Sequence, residues 1–151
     1  MYGGKGEERL RLATGNKSGA GMGYATLYGD SCGAISPIGD VYKSRLFELA
    51  AHLNKDQERI PRGIITRPPS AELKPNQKDE DSLPPYAVLD DILYRHPEAW
   101  RTGLLVANEG GHSPLTVGWV LSSLKKHAFK RDQEPTSLVC SSFALGCLDW
   151  P

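Results

Sequence analysis

The chain has 151 residues, of which 39% are hydrophobic and 24% are charged, proportions typical of one ordinary globular domain rather than a disordered or fibrous chain. Its 18 lysines and arginines balance its 18 aspartates and glutamates, which excludes the strong positive field typical of nucleic-acid-binding proteins. No apolar run approaches the roughly 18 residues of a membrane span, and residues 1–8 lack the apolar segment of a secretion signal. We therefore expect a cytoplasmic protein with no nucleic-acid or membrane partner.

The cysteines and histidines point to no metal site. Cys32, Cys140 and Cys147 are odd in number and widely spread, which favours free thiols in a reducing compartment over a disulfide framework. The four histidines lack the spacing of a shared metal site or a catalytic triad. We expect no protein metal site and no catalytic histidine.

In the first third of the chain, the pattern predicts one strand and two helical segments. Residues 9–13 end in an apolar run and predict a short strand that leads into the loop Thr14-Gly15-Asn16. The glycine-rich residues 19–39 predict the start of a packed helix followed by an irregular loop. Residues 41–53 place apolar side chains at helical spacing, so they predict an amphipathic helix with Asp40 as its N-cap.

The remainder alternates between extended, loop and helical patterns. Residues 60–66 form a small apolar run between prolines and predict a short strand or an extended segment. Residues 67–85 are rich in proline and charge, so they predict a long loop that is either a functional lid or disordered. Residues 86–94 resume helical spacing, and Ser113 with Pro114 opens a further helix whose end is rich in cations.

Three stretches carry more specific information than these general patterns. They are Ala13-Thr14-Gly15-Asn16-Lys17-Ser18, the segment from Tyr24-Ala25-Thr26-Leu27-Tyr28-Gly29-Asp30 through Pro37-Ile38-Gly39-Asp40-Val41-Tyr42-Lys43, and residues 67–93. The most diagnostic string within the third is Pro68-Pro69-Ser70-Ala71-Glu72-Leu73, followed by Gln77-Lys78-Asp79-Glu80-Asp81-Ser82. Together the three stretches resemble glutamine-dependent NAD⁺ synthetases.

The resemblance implies a fold and a reaction. It implies a helix-rich α/β fold, the C-terminal half of a parallel-sheet ATP pyrophosphatase (adenine-nucleotide alpha-hydrolase-like) domain, with a nucleotide across the carboxyl ends of the strands. Residues 1–151 would then be the C-terminal portion of one synthetase domain. The family's reaction uses ATP with Mg²⁺ to adenylate the nicotinate carboxylate of deamido-NAD, and ammonia from glutamine then displaces AMP to give NAD⁺.

The resemblance also implies residues that bind ATP. It assigns that role to Thr14, Lys43 and Ser70. Each has an ordinary structural alternative, since Thr14 also fits a turn before a glycine and Lys43 also fits a solvated surface position. Lys43 is nevertheless unusual, because a cation in the first turn of a helix is disfavoured by the helix dipole unless an anion lies nearby.

Two further groups complete the candidate site. The resemblance assigns Asp30 and Lys130 to deamido-NAD, although Asp30 also fits a turn and Lys130 with Arg131 also fits an ordinary cationic helix end. Residues that could order the long loop over bound ligand form the second group. They are Lys78, Asp79 and Asp81.

Several features depart from the family. Gly19 stands where the family has a glutamate of the metal and substrate site, and no Ser-Gly-Gly-x-Asp-Ser loop for pyrophosphate is present. The chain also has no room for a glutaminase domain. The full-length enzyme is expected to be a homo-oligomer. The sequence therefore predicts a fragment of the synthetase that is inactive alone. The alternative is a non-catalytic remnant that keeps nucleotide binding or a dimer-forming surface.

Overall fold

The computed structural model describes residues 10–71 and 73–145, which form two compact units. Unit 1 comprises Met1–Val41 with Ser123–Pro151, and unit 2 comprises Tyr42–Ser122. The elements in chain order are α1 Lys17–Met22, β1 Ile35–Ser36, α2 Lys43–Leu53, α3 Arg62–Thr66, a 3₁₀ turn Asp79–Asp81, α4 Tyr86–Leu93, a π-helical turn Tyr94–Glu98, α5 Gly103–Gly110, α6 Pro114–Lys126, α7 Ala128–Arg131 and β2 Thr136–Ser137. Helix α6 begins in unit 2 and ends in unit 1.

Unit 1 contains a small parallel sheet. β1 pairs with β2 in parallel register, with Ile35 opposite Thr136 and Ser36 opposite Ser137. Leu12 makes a single parallel bridge to the other side of Ile35. The predicted strand at residues 9–13 is thus reduced to one bridge in the described part of the chain, and Arg9 lies outside the described residues. The parallel sheet with many helices is the α/β architecture that the sequence predicts.

Short helices complete unit 1. Asn16 caps α1 by accepting a hydrogen bond from the Gly19 N–H at 3.1 Å, and Gly23 ends the helix in the left-handed conformation with φ of 62°. The buried apolar side chains of this unit come from both ends of the chain. They are Ala13, Ala20, Met22, Leu124, Phe143 and Leu145.

Unit 2 is helical and has its own apolar core. Amphipathic spacing on α4, α5 and α6 directs one face of each helix inward. The buried core side chains are Leu89, Ile92, Leu93, Val106, Ala107, Val117 and Val120. The predicted helices at residues 41–53, at residues 86–94 and from Pro114 onward are confirmed as α2, α4 and α6.

Two local predictions were wrong. Residues 60–66 contain helix α3 rather than a strand, because Pro61 precedes its first turn and the Glu58 carboxylate accepts the Arg62 N–H at 3.0 Å. Asp40 does not cap α2, whose N-cap residue is Tyr42. The Asp40 carboxylate has long-range partners instead, which are described below.

Two other features are the state of the cysteines and the character of the helices. Cys32 and Cys140 are free thiols, as expected, whereas Cys147 lies outside the described residues. Among the described residues, no helix combines the length and the apolar character needed to cross a membrane.

Candidate functional site

Thr14 lies where the parallel sheet of unit 1 ends. The Ala13 N–H donates to the Ile35 carbonyl at 2.9 Å, so the chain is still held against β1 one residue before Thr14. Thr14 itself is exposed. In open α/β sheets, ligands bind beyond the carboxyl ends of parallel strands, which is the position that Thr14 occupies.

Asp30 and Lys130 hold the same segment of unit 1. The Lys130 ammonium donates to the carbonyls of Gly23 and Ala25, at 2.7 and 2.8 Å. The Asp30 carboxylate accepts the Thr26 N–H at 2.6 Å. Both side chains therefore fix the loop after α1. The contact that Asp30 makes is a local turn contact, which was the alternative to a role in deamido-NAD binding.

A buried ion pair that the sequence did not predict lies beside the sheet. The Lys17 ammonium and the Asp40 carboxylate are 3.0 Å apart, and the two side chains are 0% and 1% exposed. Asp40 also accepts the N–H groups of Cys140 and Ser141, each at 2.8 Å, and the Ser141 hydroxyl at 2.9 Å. Lys17 donates in addition to the Ser141 hydroxyl and to the Phe143 carbonyl.

These hydrogen bonds control the charge of Asp40. Burial by itself raises the pKa of the Asp40 carboxyl, but the hydrogen bonds from the Cys140 and Ser141 backbone, from Lys17 and from the Ser141 hydroxyl outweigh it and lower the pKa. A buried carboxylate with this many donors stays ionised at neutral pH. Lys17 and Asp40 each stand in a sequence string that resembles the family. That resemblance was the sequence feature that could have drawn attention to the pair.

Gly19 does not prevent α1 from forming. The helix runs through Gly19 and Gly21, although glycine in a helix interior costs about 1 kcal/mol relative to alanine. A Cβ atom on Gly19 would come no closer than 3.7 Å to its neighbours, which here are Asn16 and Tyr24. The backbone therefore has room for a Cβ atom where the family has a glutamate.

Lys43 is the first residue of α2, as the sequence predicts. The helix start is stabilised by the Asp90 carboxylate, which accepts the Ser44 N–H at 2.8 Å. The Lys43 ammonium lies 5.7 Å from the centre of the Phe47 ring and 5.9 Å from that of Tyr86. Both distances fall within the range of cation–π attraction, so two aromatic faces position this cation.

The long loop of unit 2 surrounds an open depression of about 650 Å³. Half-buried Ser70 lines it, together with three cationic residues, Arg67, Lys74 and Lys78. We call this the cationic depression. The volume falls in the range of about 300–1,000 Å³ that small-molecule sites occupy. The described residues of the loop, 67–71 and 73–85, contain no strand and one 3₁₀ turn, which agrees with its composition.

Asp79 and Asp81 are bonded within the protein and do not line the depression. Asp79 is 6% exposed, its N–H donates to the Pro69 carbonyl at 2.9 Å, and its Oδ2 accepts the Tyr86 hydroxyl at 2.6 Å. Its Oδ1 is buried and accepts no hydrogen bond in the described part of the chain. Asp81 accepts the Lys78 N–H at 2.9 Å. Asp79 thus anchors the loop to α4, and Asp81 closes its 3₁₀ turn.

The candidate residues fall into two sets. Unit 1 holds Thr14, Asp30 and Lys130. Unit 2 holds Lys43, Ser70, Lys78, Asp79 and Asp81. In unit 2, Lys43 and Asp79 meet at a shared neighbour, Tyr86, which sequence reasoning did not single out.

Comparison with known proteins decides the family. The sequence model of the NAD synthase family matches residues 1–134. The chain belongs to the NAD synthase family. The glutamine-dependent NAD(+) synthetase of Xylella fastidiosa strain 9a5c is 47% identical over 141 residues, which are 91% of this chain and 25% of that protein. The enzyme of the same name from Acinetobacter baylyi is 56% identical over 126 residues, 82% of this chain and 23% of that protein.

Solved structures of NAD synthase relatives agree with the fold. A glutamine-dependent NAD(+) synthetase from Cytophaga hutchinsonii superposes with a TM-score of 0.63 at 24% identity, over 91% of this chain and 22% of that one. An NMN synthetase from Francisella tularensis gives a TM-score of 0.57 at 25% identity, over 89% of this chain and 48% of that one. The chain spans about a quarter of the length of the curated relatives it matches.

Proposed function

We propose that this chain supplies part of the ATP and deamido-NAD sites of a glutamine-dependent NAD⁺ synthetase. The proposed reaction activates the nicotinate carboxylate of deamido-NAD as an acyl-adenylate, and ammonia from glutamine then displaces AMP. The cationic depression carries this proposal, because Arg67, Lys74 and Lys78 converge there with the hydroxyl-bearing Ser70. Cations and hydroxyls around a cleft are the groups that recognise phosphate.

The residues of unit 2 act by binding and charge neutralisation. An ionised carboxylate resists nucleophiles, so the reaction depends on holding two anionic reactants together and offsetting their charge. Lys43, held between the Phe47 and Tyr86 rings, would neutralise an ATP phosphate with little loss of side-chain freedom. Ser70 would donate its hydroxyl to the same phosphates. Asp79 and Asp81 would hold the loop in place while Lys78 covers the ligand.

The residues of unit 1 complete the proposed site. Thr14, at the carboxyl end of the parallel strands, would donate its hydroxyl to ATP. Asp30 and Lys130 would act on deamido-NAD, both directly and by fixing the loop between Gly23 and Asp30. Their contacts to that loop support a positioning role.

Mg²⁺ would arrive with the ATP phosphates. In residues 10–71 and 73–145, no group of three or more His, Cys, Asp or Glu side chains comes together to hold a metal. Gly19 supplies no carboxylate where the family has one. The described donor set therefore does not fit a complete metal site, and no step is assigned to a metal held by this chain.

We place the protein in the cytoplasm, where ATP and thiol-reducing conditions coincide, and we expect the full-length enzyme to be a homo-oligomer. Gly19 favours a second candidate function, a nucleotide-binding remnant without catalysis. Such a protein would bind Mg-ATP in the cationic depression but would release no AMP.

Calorimetric titration with Mg-ATP tests the proposal. We expect saturable binding to the 151-residue chain and about tenfold weaker binding to Lys43→Gln, a change of about 1.4 kcal/mol. Arg45→Gln is the matched control, since Arg45 lies on the same helix, is 69% exposed and pairs only with Glu48 among the described residues. Equal loss in both variants, or no Mg-ATP binding at all, would reject the proposal.

An assay of AMP release separates the two candidate functions. Because the 151-residue chain is expected to be inactive alone, the assay uses it joined to an upstream synthetase segment that carries a Ser-Gly-Gly-x-Asp-Ser loop, with and without Gly19→Glu. With deamido-NAD, Mg-ATP and ammonium, the synthetase hypothesis predicts AMP release, which Gly19→Glu should increase by restoring the family's carboxylate. The remnant reading predicts binding with no AMP in either protein. Nicotinic acid mononucleotide in place of deamido-NAD shows whether the chain prefers the mononucleotide, given its similarity to an NMN synthetase.

A further inference from the structure

A second cavity lies in unit 1, apart from the cationic depression. It has a volume of about 290 Å³. Its apolar walls come from Ala20, Val139 and Leu145, and its charged lining includes Arg131 and Glu134. The volume is close to the lower end of the range that small-molecule sites occupy and is too small to enclose a dinucleotide. We call it the Arg131 cavity.

Arg131 is a buried cation with few partners. The residue is 6% exposed, and among the described residues its only hydrogen bond is a long one, 3.3 Å from Nη1 to the Gly21 carbonyl. No carboxylate of the described residues lies within ion-pairing distance of it. Arg131 lines the cavity, and none of its nitrogen atoms is among the buried, unpartnered side-chain atoms of the described residues. Burial lowers the pKa of the Arg131 guanidinium, whereas attraction to Asp132 and Glu134 opposes that change. The cation therefore has carboxylates nearby but no direct ion pair in the described part of the chain.

Glu134 lines the same cavity, and Arg131 and Lys130 attract its carboxylate without a direct ion pair in the described part of the chain. Its carboxylate accepts no hydrogen bond from the described residues, and it is half-buried. Its backbone N–H donates to the Arg131 carbonyl at 3.1 Å, which fixes the two residues one turn apart. Burial raises the pKa of the Glu134 carboxyl, although attraction to Arg131 opposes the rise.

The other charged groups of the lining do not supply the missing partners. Asp40 is engaged by Lys17, Cys140 and Ser141. Asp132 attracts Arg131 but is exposed, so solvent screens that attraction. The cavity thus holds one guanidinium and one carboxylate that attract each other but form no direct ion pair among the described residues.

We propose that the Arg131 cavity binds a small zwitterion, an α-amino acid, whose carboxylate pairs with the Arg131 guanidinium and whose ammonium pairs with the Glu134 carboxylate. A ligand with both charges satisfies both side chains, whereas a simple anion or cation satisfies one and repels the other. The fork of donors on arginine matches a carboxylate. The apolar walls accommodate an aliphatic side chain. This inference goes beyond the proposed function, since it needs neither ATP nor deamido-NAD.

Titration of the ¹⁵N-labelled chain with three probes of similar size tests the proposal. L-norvaline carries both charges, valerate carries only the carboxylate and butylamine carries only the ammonium. We expect norvaline to shift the Arg131 Nε–H resonance and the Ser137 and Val139 amides saturably. Valerate and butylamine should bind about tenfold more weakly or not at all.

Variants locate the site. Arg131→Gln and Glu134→Gln should each weaken norvaline binding about tenfold, and Arg11→Gln, an exposed arginine of the same unit, should leave it unchanged. Ala144→Leu narrows the cavity without changing a charge, so it should also weaken binding. If Arg131→Gln does not fold, Ala144→Leu and the Arg131 Nε–H resonance of the unaltered chain decide the question.

Three results would overturn the proposal. The first is valerate binding as tightly as norvaline, which would show that Glu134 contributes nothing to ligand binding. The second is norvaline binding that survives Glu134→Gln or Ala144→Leu in folded protein. The third is the absence of any saturable shift, which would show that solvent alone occupies the cavity.

Discussion

Two lysines in strings that resemble the family have different surroundings. Lys17, in unit 1, is fully buried and paired with Asp40, and that carboxylate accepts three further hydrogen bonds. Lys78, in unit 2, is exposed at the edge of the cationic depression. Both stand in diagnostic strings, yet one charge is satisfied within the protein and the other faces open space.

The difference separates structural from ligand-binding roles. The desolvation of a buried ion pair offsets much of its attraction, but removal of one partner leaves the other charge buried and uncompensated, which is strongly destabilising. An exposed charge contributes little to stability and is available to a ligand. Motif membership alone therefore does not assign a role, and the variants below test the distinction from the largest expected effect to the smallest.

Asp40→Asn should be the most destabilising of these changes. It leaves the Lys17 ammonium buried without an anion, and we expect it to lower the unfolding free energy by about 3–5 kcal/mol. Urea denaturation followed by circular dichroism measures this. Asp56→Asn, at an exposed aspartate of unit 2, is the control and should change stability by less than about 0.5 kcal/mol. A loss below about 1 kcal/mol for Asp40→Asn would show that the pair is not structural.

Acid should remove the same stabilisation without a substitution. The folded-state pKa of Asp40 lies below its ordinary value of 3.8, so the unfolded chain binds the proton more readily. The contribution of Asp40 is complete above about pH 4 and is lost as the pH falls through the folded-state pKa. Unfolding free energies measured across this range should fall more steeply for the unaltered chain than for Asp40→Asn. Parallel curves would contradict the assignment.

Tyr86→Phe should have an intermediate effect. It removes the hydroxyl that donates to Asp79 and leaves both oxygens of a buried carboxylate without a partner in the described part of the chain, at a cost of about 1–3 kcal/mol. Tyr28→Phe is the matched control, because the Tyr28 hydroxyl bonds Gln133 at 2.9 Å but the residue is 80% exposed. Equal effects of the two substitutions on the melting temperature would argue against Asp79 as the anchor of the loop.

Lys78→Gln should affect binding and not stability. We expect the unfolding free energy to stay within about 0.5 kcal/mol of the unaltered value, as for other exposed surface positions. Mg-ATP affinity should fall, whereas Lys55→Gln, at another exposed lysine of unit 2, should leave it unchanged. If Lys78→Gln lost stability but kept normal Mg-ATP affinity, Lys78 would have a structural role, and the contrast between Lys17 and Lys78 would be wrong.

Local patterns predicted much of the helical structure. Helices α2, α4 and α6 carry regular apolar spacing, and the proline-rich loop is as irregular as its composition indicates. Helix α5 was not predicted, since Gly103 and Gly110 at its ends obscure a short apolar run. The prediction for α3 was wrong because Pro61 fits an extended segment and a helix start equally well.

Long-range contacts could not be read from the sequence. Asp40 precedes a helix as an N-cap would, but its carboxylate is bonded by groups about a hundred residues away, Cys140 and Ser141. The roles of the candidate residues came chiefly from the resemblance, with the helix dipole as an added argument for Lys43, and they remain predictions. What the sequence could not indicate is that Asp79 lies buried against Tyr86 while Lys78 beside it is exposed.

Hydrogen exchange on the loop of unit 2 tests the central claim most directly. Amides between Arg67 and Lys78 are monitored with and without Mg-ATP and deamido-NAD. If the cationic depression binds phosphate, exchange of these amides should slow when the ligands are added, and Lys78→Gln, at a residue that lines the depression, should diminish the protection. Unchanged exchange across this segment at saturating ligand would contradict the account.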